Sequence, residues 1–102
     1  MTTAHEQALN TLKLLAKAWK TETIPWVLIG RYGPNHQFDN DIDLVIHPDH
    51  FEAAIRTIEH VCDSQGWSIV QIFRHEHRSF AAIIAQEHSG QWSFVALDIS
   101  PE

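Results

Sequence analysis

The chain is 102 residues long, the size of one small domain, and 44% of it is hydrophobic, enough for a modest core. Thirteen acidic residues against seven basic ones give a net charge of -6, which argues against an extended basic surface for gripping a nucleic-acid backbone. A single cysteine, Cys62, excludes an internal disulfide and fits a reducing, cytoplasmic setting. No apolar run is long enough to span a membrane, and Met1-Thr2-Thr3-Ala4 does not open a signal peptide.

No repeat, low-complexity tract or linker divides the chain, so one domain over 1–102 is expected. The first helix is expected from about Ala4 to Lys20. Thr3 and Glu6 have the spacing of a capping box, and Leu9, Leu12, Leu15, Ala16 and Trp19 recur at helical spacing. Pro25 stops that helix, and Trp26-Val27-Leu28-Ile29 reads as a buried strand. The stretch "GRYGPNHQFDN" is rich in turn formers and reads as a loop, followed by a strand over Asp41–Ile46.

Pro48-Asp49 opens a second helix, with Asp49 as N-cap and Glu52 three residues on. Phe51, Ala54, Ile55, Ile58, Val61 and Cys62 line its inner face, and Gly66 stands where a left-handed C-cap belongs. The period then changes. Trp67–Arg74, Phe80–Gln86 and Trp92–Ile99 are rich in β-branched and aromatic residues, with "HEHRS" and "HSGQ" between them as hairpin turns. The order α-β-β-α-β-β-β predicts an α+β domain with one sheet and helices on one face.

The chemistry concentrates in "FDNDIDLVI". In a strand, Asp41 and Asp43 share one face while Ile42 and Leu44 point into a core. Two like charges side by side repel, and a bound cation would account for them. Asp98 interrupts a second apolar strand, between Leu97 and Ile99, where burial is costly unless the carboxylate is paired or ligating. If strands 41–46 and 92–99 are antiparallel neighbours, the start of the first meets the end of the second. Three carboxylates on one rim would then make a site for one or two Mg²⁺ (or Mn²⁺) ions.

This ordered set resembles the polymerase-β-like nucleotidyltransferase superfamily. Val27-Leu28-Ile29-Gly30 resembles its strand and glycine, Asp41-Ile42-Asp43-Leu44 its Asp-x-Asp strand, and Asp98 its third acid. "NDIDLVI" after "GRYG" resembles, more narrowly, the small nucleotidyltransferase-like domains of bacterial polysaccharide gene clusters. The resemblance covers about Trp26 to Ser100 and implies a nucleotidyltransferase-like mixed sheet. It also implies transfer of a nucleoside monophosphate from a Mg²⁺-bound nucleoside triphosphate, ATP first among them, to a hydroxyl acceptor.

Asp41, Asp43 and Asp98 would be the catalytic metal ligands. Gly30 would let the backbone approach the phosphates. Arg31 stands where many members carry serine or glycine, and its fork suits phosphate. The chain stops four residues past Asp98, where many members continue into a helical domain. That ending implies a minimal member completed by a protein partner, or a fragment of a longer chain. A rival reading keeps the fold as a weakly active or inactive interaction module, as in toxin–antitoxin pairs.

Other features carry blander readings. Eight histidines are scattered along the chain, and only His75-x-His77 has strand-face spacing; two such ligands do not close a zinc site. A solvated hairpin tip accounts for "RHEHR", although Arg74 or Arg78 could reach a phosphate. A histidine-based metal-binding domain is the third reading. Asp39 and Asn40 are expected to shape the turn. Trp19, Trp26, Trp67 and Trp92 are expected in core or rim packing, and Cys62 is expected to be inert.

Overall fold

A computed structural model describes residues 3–29, 41–74 and 79–101. The first helix, α1 (Ala4–Thr21), begins where Thr3 accepts a hydrogen bond from the Glu6 backbone N–H at 3.1 Å. Its buried stripe is Ala8, Leu12, Leu15 and Trp19, with Gln7 and Thr11 beside them. Leu9 and Ala16 lie on the flanks, half-buried, so the inner face is rotated from the expected one. The rotation follows the burial of Thr11 and Gln7, polar residues that periodicity alone does not place inside.

Two short strands follow, β1 (Val27–Leu28) and β2 (Asp41–Val45). A single 3₁₀ turn, Pro48–His50, leads into α2 (Phe51–Gln65). Asp49 is not the N-cap of this helix. It lies inside the 3₁₀ turn, which His47 caps by accepting from the Asp49 backbone N–H at its Nδ1 (3.1 Å), while the N-cap of α2 itself is His50, which makes no side-chain cap hydrogen bond. Pro48 accounts for the shift: it pre-sets the φ of a first helical residue, so the turn starts one residue before the aspartate. Gly66 ends α2 at φ +72°, and the N–H groups of Gly66 and Trp67 return to the Asp63 and Cys62 carbonyls at 3.3 and 2.8 Å.

Strands β3 (Ser68–Arg74), β4 (Phe80–His88) and β5 (Gln91–Ser100) complete one mixed five-stranded sheet in the order β1-β2-β5-β4-β3. The domain is therefore α+β. All neighbouring pairs are antiparallel except β2 and β5, which run parallel. This corrects the antiparallel expectation for those two strands, and the connections explain it. Helix α2 carries the chain back along the sheet, so β3 starts in the direction of β2, and two hairpin reversals leave β5 pointing the same way.

The helices cover one face of the sheet. Ile42 and Leu44 of β2, Phe80, Ala82 and Ile84 of β4, and Val95, Leu97 and Ile99 of β5 bury against them with Ile58 and Trp19. The Phe51 and Phe80 rings meet edge to face at 5.1 Å, tying α2 to β4. On the other side of the same layer, buried Gln86 donates to the Thr11 hydroxyl at 2.6 Å, and Thr11 in turn donates to the Gln7 carbonyl. Arg74, at the end of β3, turns to the helix layer and pairs with Glu52 of α2 at 2.8 Å. Among the described residues, the opposite face of the sheet bears no helix.

Candidate functional site

The alternation of β2 builds the site. Asp41 and Asp43 are exposed and flank buried Ile42. Core packing of Ile42 and Leu44 against the helices thus drives both carboxylates onto the uncovered face. In β5, Leu97 and Ile99 do the same for Asp98. The parallel register then decides which carboxylates meet: Asp43 is the partner of Asp98, and Asp41 the partner of Ala96. Neighbouring strands stand about 4.8 Å apart, so Asp43 and Asp98 are side by side, with Asp41 about 7 Å further along β2. On the outer sides, the Ile29 N–H donates to the Asp43 carbonyl at 2.9 Å, and Ala81 of β4 is the register partner of Asp98.

The structure therefore gathers Asp41, Asp43 and Asp98 on one open surface, though by a different pairing from the one expected. Among the described residues, no Lys or Arg ion-pairs with Asp41 or Asp43. Nor are any three His, Cys, Asp or Glu side chains among them, these three aspartates included, placed closely enough to hold a metal ion together. The donor set itself suits a hard divalent cation. It is oxygen-only, adjacent at two positions, and open to water and to ligand phosphates, the manner in which Mg²⁺ is commonly held by one or two carboxylates. Gly30, Arg31, Asp39, Asn40, His75, His77 and Arg78 lie outside the described residues.

Other expected features fall elsewhere. Cys62 is buried on the inner face of α2, and burial, with Glu59 nearby, pushes its thiol from 9.0 up to about 11. Trp19 is fully buried and packs against half-buried Trp26, with centroids 6.1 Å apart, as core packing requires. Trp92 does not pack into the core. It stands exposed on the uncovered face, and Phe94 stands with it. Sequence reasoning did not single out Phe94, yet the signal was present: Trp92, Phe94, Ala96 and Asp98 occupy alternate positions of one strand.

A groove of about 640 Å³ lies between the helices, lined by Lys17, Arg56, Thr57 and His60 among others. It belongs to the helix layer, and the carboxylates are on the other face of the sheet. Among the described residues, no helix is long and apolar enough to cross a membrane. No protein-family model matches the chain, and no curated protein matches it significantly.

Proposed function

We propose that the chain is a metal-dependent nucleotidyltransferase-like domain. It would bind a Mg²⁺-nucleoside triphosphate and transfer the nucleoside monophosphate to a hydroxyl acceptor, with release of pyrophosphate. One observation carries this reading. The three pieces of the resemblance, the strand before Gly30, the Asp-x-Asp strand and the strand of the third acid, are consecutive in the sheet as β1-β2-β5.

Asp43 and Asp98 would hold the cation between adjacent strands, and Asp41 would ligate from the next outward position on β2. When bound, such a cation polarises phosphoryl oxygens and lowers the pKa of an acceptor hydroxyl. The chain's own contribution is to fix the carboxylates on a rigid sheet, so that little reorganisation accompanies charge development at the phosphates. Gly30 and Arg31 would contribute close backbone approach and phosphate charge.

A second reading has its own observation. Val27, Ile29, Phe73, Trp92 and Phe94 are large apolar residues exposed on the uncovered face, which suits a partner-binding module of the same fold. An NMR titration with Mn²⁺, then with ATP, separates the two. Broadening centred on Asp41, Asp43 and Asp98 that strengthens with ATP is the expected result. Absence of any metal or nucleotide response at those residues overturns the enzyme reading and leaves the partner-binding one.

A further inference from the structure

The uncovered face of β5 carries aromatic residues in phase with its carboxylate. Trp92, Phe94, Ala96 and Asp98 follow one another at alternate positions, about 7 Å apart. Ala96 is the register partner of Asp41, so Phe94 stands one step beyond the Asp41–Ala96 pair. It lies about 13 Å along the strand from the Asp43–Asp98 pair. Phe94 is 51% exposed and Trp92 55%, with no helix over either among the described residues. Ala85, the partner of Phe94 on β4, is 4% exposed on this same face.

We propose that Phe94, with Trp92 beyond it, is the stacking platform for the base of the nucleotide whose phosphates are anchored at Asp41, Asp43 and Asp98. This rests on the nucleotide-binding reading above. The spacing places a flat apolar surface one nucleoside's reach from the phosphate anchor. The alanine between them leaves room for a ribose. Among the described residues this face carries no Lys or Arg, since Lys13, Lys17, Lys20 and Arg56 belong to the helices and Arg74 pairs with Glu52. The exposed rings of Phe94 and Trp92 offer a flat apolar surface that suits a neutral heterocycle. Stacking on a phenyl or indole ring is open to any base, because every base has a π-face.

The test is calorimetric titration of the intact chain, in Mn²⁺, with ATP and with inorganic tripolyphosphate. Tripolyphosphate reports the carboxylate anchor alone. The expected result is that ATP binds about ten- to a hundredfold more tightly than tripolyphosphate. Phe94→Ala removes most of that advantage and leaves tripolyphosphate binding unchanged, while Phe94→Tyr keeps it. Unchanged tripolyphosphate affinity also shows that each variant is folded. Equal affinity of the two ligands for the native chain overturns the platform, as does an ATP advantage that survives both Phe94→Ala and Trp92→Ala. Either outcome leaves the anchor standing and points to a protein partner for the aromatic face. Failure of both ligands to bind overturns the nucleotide reading itself.

Discussion

Asp43 and Asp98 are register partners across the single parallel pairing of the sheet, each exposed and each flanked in its own strand by buried aliphatic residues. Like charges directly opposite one another repel, and a cation bound between them would relieve that repulsion. Asp43→Asn should therefore raise stability in EDTA by about 0.5 kcal/mol. Native protein should gain stability on adding Mg²⁺ or Mn²⁺, as any ligand of the folded state confers, and the variant should gain less. Urea unfolding with and without metal measures both effects.

The hydrogen bond from Gln86 to Thr11 crosses from the sheet to α1 with both side chains buried. Thr11→Val leaves the Gln86 amide without that partner and should cost about 1–3 kcal/mol. Removing both polar groups, in Thr11→Val with Gln86→Leu, should cost less than the sum of the single changes. A double-mutant cycle by denaturant unfolding gives the coupling directly. Additive losses would show that the bond contributes nothing of its own.

Cys62 gives the chain an alkaline limit. Its thiol has a folded pKa of about 11 against an ordinary 9.0, so the native state holds its proton where the unfolded state releases it. The contribution to stability is full below pH 9 and falls as pH rises toward 11. Unfolding free energies measured across that window should show a decline that Cys62→Ala lacks. At pH 8 the native thiol should resist alkylation and react only after denaturant is added.

Gly66 occupies the left-handed region at φ +72°, and a Cβ built there meets nothing within 4 Å. Gly66→Ala should therefore cost about 1–2 kcal/mol from backbone strain alone, with no steric share. Gly66→Asn should cost less, because asparagine tolerates that conformation. Thermal unfolding of the two variants distinguishes them.

Much of this was legible in the residues. The capping spacing of Thr3 and Glu6, the change of period after Gly66 and the alternation in "DIDLV" each locate an element to within a residue or two. The direction of β2 relative to β5 was not legible, because alternation of acid and aliphatic residues reads the same along either direction of a strand. Only the path through α2 and two hairpins decides it. The start of α2 was misplaced by one residue because a 3₁₀ turn capped by His47 takes up Pro48, Asp49 and His50 before the α-helix begins. The aromatics of β5 were readable as neighbours of Asp98 by phase, but their exposure follows from both described helices packing on the other face.

The parallel pairing also sets the order in which the molecule comes together. The β3–β4 and β4–β5 hairpins join residues close in sequence, and α2 is local throughout. Asp43 and Asp98, by contrast, are about 55 positions apart, so their meeting closes a long loop whose entropic cost must be met before the contact stabilises anything. The carboxylate pair is thus expected to form late in folding. Substitutions at β2 should accelerate unfolding far more than they slow folding, whereas changes in the hairpins should do the reverse. The candidate site exists only once the last strand has docked, which makes its appearance a reporter of complete folding.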